Sequence, residues 1–205
     1  MKRQLYYPRY PVRPGFHGLF NVEIEEPISW VLGVAAISFA WGSFSVFNPL
    51  FYVSPDFIAI LLGFTLHELA HKAIALRGGF KAGFVAFGPG LAITFLSGLL
   101  PGIAILAPGY VRVVGVGLYR ESYMLYSIAA GPITNIVLAV VGVALHLSGA
   151  PVISSYGLAL ARINSYIAFF NLIPIPPLDG SKIIRGSPVM WILLMILSLI
   201  LLLYS

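Results

Sequence analysis

Residues 58 to 76, IAILLGFTLHELAHKAIAL, are apolar enough to form one helix inside a bilayer, yet their later half carries His67, Glu68 and His71. A span needs about 20 mostly apolar residues. Two imidazoles and a carboxylate are expensive to bury within one, so their default reading is functional. On a helix, positions i and i+4 share a face. His67 and His71 can therefore grip one metal ion while Glu68 stands beside it, placed to take a proton from an attacking water. The expectation is a hydrolytic zinc site inside a membrane. The bland alternative is a polar helix face lining an aqueous cavity.

The rest of the chain agrees with a membrane setting. Of 205 residues, 59% are hydrophobic and 9% charged, a balance foreign to a soluble domain of this length. The expected architecture is an all-α polytopic membrane protein of about five transmembrane helices, at 28–51, 57–77, 122–147, 155–173 and 188–204, each near the required length. Residues 1–27 lack the apolar core of a secretory signal and read as a cytoplasmic tail, followed by a membrane-embedded domain over 28–205. The chain has no cysteine, so disulfides and thiolate ligands are excluded and any zinc must be held by imidazole and carboxylate. Its net charge of +5 does not imply nucleic acid. Lys2, Arg3, Arg9 and Arg13 precede the first span, where basic residues fix orientation and meet anionic lipid.

One stretch resists the helical pattern. Residues 83–117 are broken by Gly88-Pro89-Gly90, Pro101-Gly102 and Pro108-Gly109, and their second half holds the β-rich run Tyr110-Val111-Arg112-Val113-Val114. If this stretch does not cross, every Lys and Arg except Arg162 falls on the cytoplasmic side; if it crosses, giving six spans, Arg112, Arg120, Lys182 and Arg185 move outside. A re-entrant half-helix followed by a strand is therefore expected. Such irregular backbone survives at membrane depth only where protein or water satisfies it.

A zinc site on HExxH needs a third protein ligand and an open position. Of seven acidic residues, Glu23, Glu25 and Glu26 belong to the tail, Asp56 to the loop before the HExxH helix, and Glu121 to a span end. Asp179 remains, in the sequence NLIPIPPLDG at 171–180, where three prolines stop a helix and turn the chain back. Its alternative is an Asp-Gly turn at the membrane surface.

HELAHK at 67–72, AGPITN at 130–135 and FNLIPIPPLDGSKI at 170–183 together resemble the site-2 protease family of intramembrane zinc metalloproteases, in the family's order and over a core of about 57–185. The resemblance implies one Zn2+ ion held by His67, His71 and Asp179, with Glu68 as general base. It implies that Asn171 stabilises the oxyanion or holds substrate, and that Asn135 contacts substrate or supports the ligands from behind. Many members have Asp-Gly-Gly where this chain has Asp179-Gly180-Ser181, and no stretch here is long enough for the PDZ domain some members carry.

The three ligands share one depth only if the HExxH helix and the helix before Asp179 run parallel, with 122–147 returning between them. A substrate helix must unwind before attack. The strand near Val111 and Val113 can bind the unwound chain through its backbone. The expected partners are thus a transmembrane protein substrate and the lipid bilayer of the cell membrane. A transporter or ion pathway with a buried His/Asp site is the alternative function, and a silent binding protein is a third.

Overall fold

Prolines and capping hydroxyls set where the helices begin in the computed structural model, which describes residues 25–100, 102, 104–115 and 122–205. The expectations for Lys2, Arg3, Arg9, Arg13, Glu23, Arg120 and Glu121 lie outside those residues. Helix α1 (Glu26–Gly42) has Pro27 in its first turn and gives way at Ser43, with φ of 48°, to two 3-10 turns, Ser43–Phe47 and Pro49–Val53. The first expected span, 28–51, is therefore helix followed by tight turns. Ser54 Oγ accepts the Phe57 N–H (3.2 Å) ahead of Pro55, opening α2 (Pro55–Arg77), and Gly78 and Gly79 close it.

Strand β1 (Phe80–Ala86), helix α3 (Gly88–Ser97) and strand β2 (Gly109–Gly115) follow, with β1 and β2 antiparallel from Phe80 opposite Gly115 to Ala86 opposite Gly109. The stretch 83–117 thus leaves the sheet as a ten-residue helix and returns to pair with its own start. Strand β1 was not anticipated; it buries Phe80 and Phe84, while the rest of its short, glycine-interrupted pattern is half-buried or exposed. The irregular return is satisfied internally. Thr94 Oγ1 accepts the Ala107 N–H (3.1 Å), Ser97 Oγ accepts the Ile105 N–H (3.0 Å), and the Tyr166 hydroxyl donates to Ala104 O (2.6 Å).

The last four helices are α4 (Ser122–His146), α5 (Pro151–Leu172), α6 (Gly180–Gly186) and α7 (Pro188–Tyr204). Contacts fix their directions. At one end Tyr156 donates to Val53 O (2.8 Å) and Arg162 pairs with Asp56 (2.9 Å), so α5 starts beside the start of α2. Their far ends meet around His71 and Asp179. On α4, Ser127 touches His71 while Asn135 reaches Gly63, so rising numbers on α4 meet falling numbers on α2. Helices α2 and α5 therefore run parallel with α4 antiparallel between them. The backbones of α4 and α5 nearly touch, since a Cβ on Gly142 would lie 2.4 Å from Ala161 N and one on Gly157 2.4 Å from His146 N.

Polarity is turned inside out relative to a soluble domain. Asn135, Asn164, Ser127, Thr94 and Ser165 are buried, whereas Val189, Leu193, Ile196, Ile200 and Leu203 of α7 are exposed. Three helices among the described residues are long and apolar enough to cross a membrane, at 26–47, 55–77 and 122–146. The other two expected spans are helices as well. Helix α5 is long enough but carries the polar side chains that face the interior, and α7 is apolar but only 17 residues long.

Candidate metal centre

His67 and His71 lie one turn apart on the buried face of α2. The third group arrives from a loop. After α5 ends, Pro174, Pro176 and Pro177 hold the chain out of helix, and it folds back so closely that a Cβ on Gly180 would lie 2.0 Å from Leu172 O. Trp191 of α7 donates to the same carbonyl (2.7 Å) and pins that corner. The fold-back presents Asp179, 9% exposed, with Oδ2 3.0 Å from His71 Nε2 and 3.5 Å from His67 Nε2. The two Nε2 atoms are 2.9 Å apart. A tetrahedral zinc with bonds of about 2.0–2.1 Å sets its ligand atoms roughly 3.3 Å apart, so the triangle has the right size.

Hydrogen bonding tests the fit independently. His71 Nδ1 lies 2.7 Å from Ser127 O, a pure acceptor, so the ring proton belongs on Nδ1. His67 Nδ1 contacts Asn135 Oδ1. That atom is identified as the oxygen because Asn135 Nδ2 donates to Gly63 O (3.0 Å) and to Asn164 Oδ1 (2.8 Å). With both rings neutral, each Nε2 atom carries a lone pair, and with Asp179 Oδ2 they form three electron-rich atoms facing one another. A cation resolves that arrangement.

Gly131 on α4 supplies the space. A Cβ there would sit 2.3 Å from His71 Nε2 and 2.6 Å from His67 Nε2, in the cradle between the rings. His67, His71 and Asp179 can hold one metal ion, and they are the only such cluster among the described residues.

Glu68 is buried beside this triangle, and its Oε2 has no hydrogen-bond partner among the described residues. It faces a cavity of about 190 Å³ together with His67, His71, Asp179, Asn171, Val111 and Val113. Asn171 is half-buried and gives one amide hydrogen to Ile167 O (3.0 Å), leaving the other free to turn to the cavity. Asn135 does not line the cavity. It is fully buried, with its Oδ1 against His67 Nδ1. Its partner Asn164, also fully buried, carries no motif that singles it out in the sequence. Lys182 adds a cation 3.2 Å from Asp179 Oδ1.

Strand β2 borders the cavity, and two contacts fix which way its backbone faces. The Phe84 N–H turns away from β2 to Glu26 Oε1 (3.1 Å), whereas the Phe87 N–H turns toward it to Pro108 O (2.9 Å). Facing and outward pairs alternate in an antiparallel ladder. The pairs Phe84–Val111 and Ala82–Val113 are thus outward ones. Val111 and Val113 direct their N–H and C=O groups to the edge of β2 away from β1, with no hydrogen-bond partner among the described residues. Lys72 pairs with both oxygens of Glu26 (2.6 and 2.8 Å), and Glu26 in turn accepts the Phe84 N–H, tying α1, α2 and β1 together.

Among curated proteins the chain is 34% identical over 175 residues to "Putative zinc metalloprotease MJ0611" of Methanocaldococcus jannaschii, covering 84% of this chain and 90% of that one. It is 30% identical over 160 residues to "Putative zinc metalloprotease YwhC" of Bacillus subtilis, covering 68% and 72%, and 24% identical over 174 residues to "Zinc metalloprotease MJ0392" of M. jannaschii, covering 82% and 43%. No family model and no solved structure matches the chain. With the first of these relatives aligned along nearly its whole length, and with two imidazoles and a carboxylate converging on a metal-sized cradle, the chain belongs to a family of zinc metalloproteases.

Proposed function

We propose that this protein is an intramembrane zinc endopeptidase of the site-2 protease type, cutting peptide bonds in or near transmembrane segments of other membrane proteins. The observation that carries this reading is the position of the His67–His71–Asp179 triangle: between apolar helices, open to a cavity, and beside a strand edge whose outward backbone groups have no partner among the described residues. In this reading His67, His71 and Asp179 hold the zinc, which when bound supplies Lewis acidity to the scissile carbonyl and the attacking water. Glu68 takes the proton from that water with Oε2, which has no partner among the described residues, and returns it to the leaving amine nitrogen. Asn171 donates its second amide hydrogen to the carbonyl oxygen as negative charge develops there.

A substrate helix in lipid has every carbonyl bonded, so it must exchange its own hydrogen bonds for others before it can react. Val111 and Val113 offer such a set, and an unwound substrate segment pairs along β2 as an added strand. Five membrane passes, with α3 as a re-entrant half-helix and both termini of the β1–α3–β2 unit on one side, fit the same picture. At about 1.5 Å per residue α3 is only about 15 Å long, half of the hydrocarbon thickness. A multi-pass cell-membrane protein with a cytoplasmic N-terminus follows. His71 lies roughly 9 Å of helix rise from the end of α2, so water reaches the site from the cytoplasmic face.

The test is incubation of the purified protein in detergent and in vesicles with a panel of single-span substrates, with and without a zinc chelator. Chelator-sensitive cleavage inside or beside the span is expected. Metal-dependent ion or solute flux without cleavage would instead make the site a transport pathway.

A further inference from the structure

We infer that Asn164 of α5 is a positioning residue that fixes the ring tautomer through which His67 binds zinc. The inference rests on the proposed ligand set and goes beyond it to a residue that touches none of the ligands. Three helices meet at this point. Asn164 Nδ2 donates to Leu160 O (2.9 Å), one turn back on its own helix, so Oδ1 is the end it presents to its neighbours. Asn135 Nδ2 donates to that Oδ1 (2.8 Å) and to Gly63 O (3.0 Å). Both acceptors belong to other helices, and neither can donate. Asn135 is thereby held with its own oxygen toward His67 Nδ1.

Each amide in the series has its nitrogen end anchored on oxygen, so the last oxygen fixes a proton on His67 Nδ1 and leaves the lone pair on Nε2, where the metal must be met. An inverted Asn135 would face Gly63 O and Asn164 Oδ1 with its own oxygen, leaving lone pairs opposed in a site with no water access, since Asn135 and Asn164 are both fully buried. It would also donate to His67 Nδ1 and move the ring proton to Nε2, abolishing that ligand. Gly63 O alone is a weaker guard, because one opposed oxygen can move aside more readily than two held on different helices. The fit at this junction is close: a Cβ on Gly63 would come within 2.6 Å of Asn164 Oδ1.

The experiment compares zinc affinity, by competition with a chromophoric chelator, for the full-length wild type, Asn164→Leu, Asn164→Asp and Asp179→Ala, and reads imidazole tautomers by 15N NMR of the histidine-labelled, metal-free protein. Asn164→Leu, which keeps bulk but offers no acceptor, is expected to bind zinc about tenfold or more weakly, whereas Asn164→Asp, which keeps the acceptor, stays within about threefold of wild type. A residue that served packing alone would lower metal-free stability in both variants and leave zinc affinity alone. In the wild type the 15N spectrum should place the His67 proton on Nδ1, and in Asn164→Leu a fraction of it should move to Nε2. Wild-type zinc affinity in Asn164→Leu, or a His67 proton already on Nε2 in the metal-free wild type, would overturn the inference. Should Asn164→Leu not fold, Asn164→Ala, which also lacks the acceptor, takes its place in both readouts, and a wild-type His67 proton on Nε2 overturns the inference by itself. The Asp179→Ala arm separates the two levels: undiminished zinc binding there removes the ligand set itself, whereas lost binding there with an indifferent Asn164→Leu removes only the role of Asn164.

Discussion

Gly131→Ala is the smallest change that should empty the metal site without touching a ligand. The added methyl carbon would stand 2.3 Å from His71 Nε2, 2.6 Å from His67 Nε2 and 2.6 Å from His71 Cε1. Non-bonded heavy atoms settle at about 3.5 Å or more, so the two rings must retreat by roughly 1.2 and 0.9 Å, or α4 must move as a whole. Zinc sites tolerate errors of only about 0.2 Å in bond length. Perturbing a group behind a ligand typically costs 10- to 100-fold in metal affinity. Displacing two ligands directly should exceed the top of that range, a loss of at least ~100-fold or about 2.8 kcal/mol. The assay is chelator competition together with thermal unfolding at increasing zinc. Wild type should gain stability as zinc rises, by mass action on the folded state, while Gly131→Ala should be nearly flat. Metal-free melting should change less than the zinc response, because without an ion the rings are free to turn aside. A Gly131→Ala protein that binds zinc as tightly as wild type would show that the ion does not lie between His67 and His71 next to α4.

Other outcomes follow from the same geometry. Asp179→Ala should lose zinc in metal analysis, since the fold-back at Gly180 brings no other carboxylate to the two imidazoles, and full occupancy would place the third ligand elsewhere. Glu68→Gln should retain zinc and lower turnover by at least ~10²-fold, because an amide of the same shape cannot accept the water proton; near wild-type cleavage would remove Glu68 from that role. Val113→Pro should reduce cleavage of a substrate with a stable helix while zinc stays bound, and Val113→Thr should matter much less, because the outward backbone N–H is what is lost. Equal cleavage by Val113→Pro and wild type would make β2 a packing element. Lys81→Cys and Arg112→Cys, each introduced singly into this cysteine-free chain, should be labelled from the same side by an impermeant thiol reagent, and opposite-sided labelling would sink the five-pass arrangement.

The parts of the fold that could be read from sequence are those whose cause is local. His67 and His71 are four apart on an apolar run, so helix geometry alone puts them on one face. Three prolines before Asp179 announce a break, and the β-branched run at 110–114 announces a strand. What escaped notice has its cause elsewhere in the chain. Strand β1 exists because β2 returns to pair with it, and its glycine-interrupted pattern is too short to declare itself. Lys72 looks like a helix-end cation reaching for water until Glu26, 46 residues away, is brought against it. The buried Asn164 of α5 has no motif to mark it, and its partner Asn135 comes from another helix.

Polar residues in an apolar chain are thus easy to find and hard to assign, because each one must have a partner and the sequence does not say which. Asn135 illustrates the difference. By resemblance it belonged near the site, with substrate contact and ligand support both open to it. What the packing adds is where its two ends go: Gly63 O and Asn164 Oδ1 take the amide hydrogens, and the oxygen meets His67. The same accounting gives the reason for Gly131. Its value lies in no contact of its own but in the 2.3 and 2.6 Å that a methyl group would trespass upon, a constraint that exists only once α4 has been laid antiparallel to α2. Function in this chain is therefore announced by residue type and completed by helix packing: α2 supplies two imidazoles and the Glu68 carboxylate, α4 an empty space and a contact behind His67, and the corner after α5 the third member of the cluster, Asp179.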